Sequence, residues 1–298
     1  MLYSYKEMPL DSTIKEGMKV IKGNIDQYHA KVKDVFYEKE GEQITIKLIT
    51  PEHLDDADFS DLKFPVYIHI QGSAWMKQDM NNHIIDLSPI ALQGYVVAVI
   101  GYRPTPDYQF PTQVKDAKSG VRYLYEHRDE YHLDFDHAYI GGDSSGAHTA
   151  LMCYVSWHKD LFDDEKTPLP SIRGFIDCYG PTNISTMVEE VSGIDRRRGQ
   201  TYPEYLLIGG EVRDHYEEAQ KTNPINYLDD QKEPLLILHG NKDRLVPFAQ
   251  SVELYEKCLE KNLNVEFYCV DQSDHGGSAF WCKAVLDIMV EFMKKQGE

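Results

Sequence analysis

Ala138-Tyr139-Ile140-Gly141-Gly142-Asp143-Ser144-Ser145-Gly146-Ala147 is a β-prone run, a serine held between glycines, and the start of a helix-compatible stretch. The pattern G-x-S-x-G in that context is a nucleophile elbow: a strand, a sharp turn, then a helix. Its logic is steric. A serine hydroxyl stands clear of a sheet only if the backbone beneath it turns tightly, in a strained conformation. Gly142 and Gly146 let strand and helix approach each other at that turn. Ser144 then points into solvent, with the N–H of Ser145 at the helix start on the same side.

Outward from the elbow, the chain alternates strands and helices. Val32–Tyr37 and Ile44–Leu48 alternate at period two around Gly41, as a hairpin does. Residues 65–70 and 96–100 are nearly continuous β-branched runs, the mark of strands buried on both faces. Further strands are expected at 172–178, 235–239 and 265–269. Helices are expected at about 84–93, 111–131, 145–157, 247–261 and 280–295. This order predicts an α/β fold in one domain, a mostly parallel central sheet with helices on both faces. Residues 1–30 are expected to form an N-terminal helical segment packed on the outside. Residues 182–229 exceed what one crossover helix needs, so they are expected to form a helical lid or cap insertion.

Composition narrows the function. The 298 residues carry 49 acidic against 31 basic side chains, a net charge of −18. That balance argues against nucleic acid and anionic membrane surfaces, since both require a basic footprint. No apolar run reaches the length of a membrane span, and the N-terminus lacks the basic and apolar regions of a signal peptide. The five cysteines are scattered without C-x-x-C spacing and read as reduced thiols of a cytoplasmic protein. No H-E-x-x-H or carboxylate–histidine cluster argues for a metal, and no cofactor is expected.

A serine at neutral pH needs a base, and the base needs an orienting acid. In this fold the chain order is Ser, then Asp or Glu, then His, each at the carboxyl end of a strand. Asp243 follows the strand ending at His239, and His275 follows the last strand. Asp271 and Asp274 are rival acids, but Asp274 is adjacent to His275 and poorly placed to meet its ring. The expected triad is Ser144, Asp243 and His275. His148, four residues beyond Ser144, reads as a structural hydrogen-bonder, and His69 and His239 as satisfied core histidines. The oxyanion needs N–H donors. Ser145 supplies one, and the loop Gln71-Gly72-Ser73-Ala74-Trp75 supplies the rest, with Ser73 and Ala74 as the donors by position. Gly72 and Trp75 beside them, and Asp143 beside the nucleophile, are candidate substrate contacts.

The chain resembles bacterial esterases of the α/β-hydrolase superfamily, in the group related to hormone-sensitive lipase, acetylesterases and feruloyl esterases. That group reads H-G-G-[GA]-W at the oxyanion loop and Y-R-x-A-P-x-x-x-F-P where this chain has Tyr102-Arg103-Pro104 and Phe110-Pro111. Its G-D-S-A-G-G-H, S-P-I and H-G-x-x-D-x-x-V-P correspond to residues 142–148, 223–225 and 239–247. The chain departs at Gln71 and Ser73, which stand for the group's histidine and second glycine. Backbone donors survive such changes if Ser73 avoids positive φ, and the Ser73 hydroxyl becomes available to the site. The resemblance implies short-chain acyl esters, acetyl or cinnamoyl esters of sugars among them, and a homodimer. Two rivals remain: a prolyl-oligopeptidase-like peptidase, and a binding protein that kept the pocket without the chemistry. Arg196-Arg197-Arg198 reads as an exposed, solvated triplet, with anion binding as the sharper alternative.

Overall fold

The computed structural model describes residue 3 and residues 5–24, 27–53 and 62–297. Eight strands form one sheet: β1 (His29–Lys39), β2 (Glu42–Glu52), β3 (Phe64–Ile70), β4 (Val96–Ile100), β5 (Leu133–Asp143), β6 (Gly174–Cys178), β7 (Leu235–Gly240) and β8 (Val265–Val270). Their spatial order is β1-β2-β4-β3-β5-β6-β7-β8. The hairpin β1–β2 and the β2–β4 pair are antiparallel, and every other pair is parallel.

The β-branched runs have the predicted burial. Every residue of β4 is buried, and along β3 successive side chains enter opposite clusters. Val66, Ile68 and Ile70 face one cluster with residues of α2 (Thr112–Glu126) and α3 (Ser145–Ser156), and with Leu254 and Cys258 of α7 (Ala249–Glu260). Tyr67 faces the other, with residues of α1 (Ile84–Ala91) and α8 (Lys283–Gly297). A parallel sheet so covered puts the carboxyl ends of its strands, and the loops that follow them, along one rim. This is the α/β-hydrolase fold.

One expectation fails at the periphery. Residues 5–24 contain turns but no helix and are exposed throughout. Pro9, Gly17 and Gly23 interrupt any helical run, and Leu10, Val20 and Ile21 have nothing to pack against. The long β6–β7 connection is helical in short pieces. It forms the short helices α4 (Ile184–Met187), α5 (Pro203–Ile208) and α6 (Tyr216–Lys221), ending in a 3-10 turn at Pro224–Tyr227. Its apolar side chains Ile184, Val188, Tyr202, Leu207, Val212 and Ala219 make a third small core around Trp75. Trp75 therefore fastens this segment to the main body.

No helix among the described residues is long and apolar enough to cross a membrane. All five cysteines are free.

Candidate active site

Ser144 sits between β5 and α3 at φ 52°, ψ −125°, a conformation costly for any residue but glycine. Its N–H donates to the Cys178 carbonyl on β6 at 2.9 Å, which holds the strained turn against the sheet. A Cβ on Gly142 would meet the Gly146 backbone at 2.5 Å, and one on Gly146 would overlap the Ile70 carbonyl. Nothing larger than glycine fits either place.

The β7 and β8 loops bring the other two groups to the serine. His275 Nε2 lies 2.8 Å from Ser144 Oγ, and His275 Nδ1 lies 2.7 Å from Asp243 Oδ2. Asp243 is held from four directions. Oδ1 accepts the N–H groups of Leu245 and Val246 at 2.8 and 2.9 Å, and Oδ2 also faces His239 Nε2 at 3.2 Å. Burial alone would raise its pKa, but hydrogen bonds from His239 and His275 outweigh that and hold the carboxyl well below the usual range. Asp243 is thus a fixed anion facing the proton on His275 Nδ1. The rival acids are occupied elsewhere: Asp274 by Arg244 at 2.6 Å and Asp271 by Asn241 at 2.8 Å.

The three other histidines weighed from the sequence, His148, His239 and His69, are structural. His148 Nε2 donates to the Thr222 carbonyl at 2.8 Å, leaving Nδ1 to accept the Trp75 indole N–H at 3.2 Å. Burial lowers its pKa to about 4, so it stays neutral. His239 meets Ser251 Oγ at 2.7 Å and the Val246 carbonyl at 3.1 Å. His69 bridges Tyr67 and Asp143.

Asp143 is buried, and its carboxylate works on the protein's own loop. Oδ1 accepts the Gly72 N–H at 2.8 Å and His69 Nε2 at 3.0 Å, and Oδ2 lies 3.4 Å from His83 Nε2. Burial pushes its pKa up, but His69 and His83 override that and keep it ionised. Gly72 and Asp143 thus set the height of the oxyanion loop above the elbow.

His83 did not stand out in the sequence. It lies between Asp143 and Asp86, whose Oδ2 is 3.1 Å from Nδ1. Burial works against protonation, yet the two carboxylates raise its pKa to about 9. A histidine raised in the folded state contributes stability that is whole below about pH 6.5 and is lost as pH climbs through about 9. The contribution is on the order of 3 kcal/mol. Between pH 6.5 and 9.5 the thermal midpoint should fall by on the order of 5 °C from this source. In His83→Gln that part of the fall disappears, as differential scanning calorimetry across the range would show. Parallel losses in both proteins would contradict the assignment.

The oxyanion loop departs from expectation in one respect. Positive φ falls on Ala74 and Trp75, at 56° and 57°, and Ser73 escapes it. But the Ser73 N–H is taken, donating to Ser145 Oγ at 2.9 Å. Tyr102 OH stands 3.2 Å from Ser145 Oγ and 3.0 Å from Ser73 Oγ. Ser73 Oγ donates to the Met76 carbonyl at 2.5 Å, so it is committed to the loop instead of the site. Among the described residues, only the amides of Ala74 and Ser145 are left of the three expected donors. Gln71 is buried, with Nε2 donating to the Asp79 carbonyl at 2.6 Å, and it braces residues 71–79.

Two hollows meet at Ser144. An open one of about 520 Å³ runs past Ser73, Asn82, Asp86, Asp143, His275 and Ser278. A small one of about 50 Å³ lies between Ala74, Trp75, Ser144 and Ser145 on one side and Ile194, Arg196, Pro203 and Glu204 of the β6–β7 segment on the other. Arg196 corrects the reading of the arginine triplet. Arg197 and Arg198 are exposed and paired with Asp195 and Asp214. Arg196 is buried, with Glu204 as its partner at 2.8 Å. No cluster of three or more metal-ligating side chains occurs among the described residues.

The profile of the family described as BD-FAE matches residues 57–258. Esterase LipQ of Mycobacterium tuberculosis is 26% identical over 192 residues, covering 63% of this chain and 44% of that protein. Probable carboxylesterase 3 of Arabidopsis thaliana is 25% identical over 150 residues, 48% of this chain and 45% of that one. The chain thus spans about half the length of these curated relatives. Among solved structures, a truncated carbohydrate esterase from gut microbiota superposes with a TM-score of 0.72 at 24% identity, over 85% of this chain and 90% of that one. Esterase B of Lactobacillus rhamnosis gives 0.72 at 20% identity, over 93% and 87%. At these identities the likeness is one of fold.

Proposed function

This chain belongs to the BD-FAE family, and from that premise we propose that it is a serine hydrolase of small carboxylic esters. One observation carries the reading: Ser144, His275 and Asp243 are joined in a single hydrogen-bonded line beneath two free amides. The esterase names of the sequence relatives agree with it.

In the proposed mechanism His275 Nε2 takes the Ser144 hydroxyl proton as Oγ attacks the ester carbonyl carbon. The carbonyl electron pair moves onto oxygen, and the amides of Ala74 and Ser145 donate to it. The tetrahedral intermediate collapses, the C–O bond to the alcohol breaks, and His275 gives that oxygen its proton. Water then attacks the acyl-enzyme, losing a proton to His275. The second collapse releases the acid and returns the proton to Ser144. Asp243 holds the proton on His275 Nδ1 throughout.

The two hollows suggest the division of the substrate. The smaller hollow of about 50 Å³ suits the acyl group, which stays on the enzyme between the two steps. A volume of that order holds only a few heavy atoms, so acetyl and propanoyl groups are favoured over cinnamoyl. The larger hollow, where Asn82, Asp86 and Ser278 stand beside Tyr179, Leu245 and Trp281, suits a sugar-like alcohol that offers both hydroxyls and an apolar ring face and departs to solvent. Residues 182–229 act as the lid that closes the acyl side.

A panel of aryl esters tests this directly. Turnover should be greatest for acetyl and propanoyl esters and fall steeply toward octanoyl and feruloyl esters, with no hydrolysis of aminoacyl-proline amides. Preference for the amides would favour the peptidase reading.

The Ser145 hydroxyl limits the oxyanion site by occupying the Ser73 N–H. Ser145→Ala frees that third donor and should raise kcat/KM on an aryl acetate by about tenfold, the worth of one hydrogen bond. A loss of activity of similar size would mean the hydroxyl itself donates to the oxyanion.

A further inference from the structure

We infer that Tyr179 is a positioning residue for the base: its ring walls His275 and keeps Nε2 where the proton taken from Ser144 can be handed to the leaving alcohol; the inference rests on the esterase reading above. Tyr179 follows β6 directly, is buried, and stands at φ 49°. A bulky side chain in the left-handed region is strained, and such strain persists where the surroundings enforce it, most often at active sites. Here the Tyr179 N–H donates to the Leu238 carbonyl of β7 at 2.8 Å, while the neighbouring Cys178 carbonyl accepts the Ser144 N–H. The end of β6 thus supports the nucleophile through one residue and turns the next side chain toward the base.

The base needs such a wall once the reaction has begun. At rest His275 is held at both ring nitrogens, by Ser144 and by Asp243. When Ser144 Oγ has bonded to the carbonyl carbon it no longer has a proton to offer, and Nε2–H must turn to the alcohol oxygen. The Asp243 bond at Nδ1 remains, but a hinge at one nitrogen leaves the opposite one free to swing. The Tyr179 ring centroid lies 4.6 Å from that of His275, with the planes at 59°. Phe280 at 4.6 Å and Trp281 at 6.4 Å pack edge-on against the tyrosine in turn. A Cβ on Gly276, next to His275, would stand 2.8 Å from the tyrosine hydroxyl, so the loop after the base is moulded to the same side chain. Tyr179 borders the larger hollow, and His275 borders both. The wall therefore stands on the alcohol side. It limits how far Nε2 swings from the oxygen that must be protonated as its C–O bond breaks.

The test compares two acetates with nearly the same alcohol part, para-nitrobenzyl and para-nitrophenyl acetate, on the whole protein. The benzyl alkoxide is a poor leaving group and needs the proton from His275, whereas the nitrophenoxide departs without one. The ratio of the two kcat/KM values thus reads proton delivery, and a general loss of activity cancels from it. Tyr179→Leu, which removes the ring, should lower the benzyl-to-phenyl ratio by about tenfold, a part of what positioned proton transfer contributes. Tyr179→Phe, which keeps the ring, should hold the ratio within about twofold of the parent's. An unchanged ratio in Tyr179→Leu overturns the inference while ester hydrolysis still stands. An equal fall in Tyr179→Phe does the same, because it assigns the effect to the hydroxyl. If Tyr179→Leu does not fold, Tyr179→Met fills the space without a ring and carries the same comparison, and the Tyr179→Phe result remains decisive. Hydrolysis of neither acetate by the parent overturns the esterase reading and this inference with it.

Discussion

Ser144→Ala should lower kcat/KM on an aryl acetate by on the order of 10⁵-fold, leaving the small residue that oxyanion donors and binding supply alone. The size follows from the site's design. Removing Oγ removes the atom that forms the acyl-enzyme, and His275 then has no proton to take. Nothing nearby substitutes for it. Ser145 Oγ is held by the Ser73 N–H and Tyr102 on the far side of the turn. Ser73 Oγ is committed to the Met76 carbonyl. The fold should not suffer, because Ser144 Oγ has His275 as its hydrogen-bond partner and the strained φ is no worse for alanine than for serine. An unchanged thermal midpoint alongside the lost turnover would separate chemistry from stability. Residual activity above about 1% would instead point to a different nucleophile.

Asp243→Asn should cost about 10⁴-fold in kcat, by changing which nitrogen of His275 carries the proton. The amides of Leu245 and Val246 both donate to Oδ1, so an asparagine at 243 must keep its carbonyl oxygen there. Its NH₂ group then occupies the Oδ2 position and donates toward His275 Nδ1. His275 is driven to the tautomer with its proton on Nε2, facing Ser144, and cannot accept the serine proton. His239 Nε2 also loses an acceptor but keeps the Val246 carbonyl. The expected signature is a fall in kcat with little change in KM, partly restored at high pH, where hydroxide can stand in for the base. Equal effects on kcat and KM would indicate that the loop had moved instead.

The sheet was legible in the sequence because its strands are buried on both faces. Residues 65–70 and 96–100 have almost no polar positions, and only a covered parallel sheet explains them. The triad was legible because each member follows a different strand at the same rim, whereas Asp271 and Asp274 share the loop after the last strand with His275. The N-terminal segment misled because weak periodicity predicts a helix only where a neighbour buries its apolar face, and residues 5–24 have none. His83 and Arg196 were obscure for a related reason. His83 acquires its charge from Asp143, sixty residues on, through a contact that exists only once the oxyanion loop lies over the elbow. Arg196 stands in a basic triplet that reads as solvated, and its burial depends on how three short helices pack around Trp75. The engagement of the Ser73 amide had no sequence signal at all. It needs Tyr102 and Ser73 from two separate loops to meet Ser145 at the start of α3.

The most direct test of the account is covalent. The folded protein should react with a fluorophosphonate to give one adduct per chain, which peptide mass spectrometry locates on Ser144. Ser144→Ala should not be labelled, and Asp243→Asn should be labelled far more slowly than the parent. An adduct on any other serine, or a folded parent that stays unlabelled, would contradict the account.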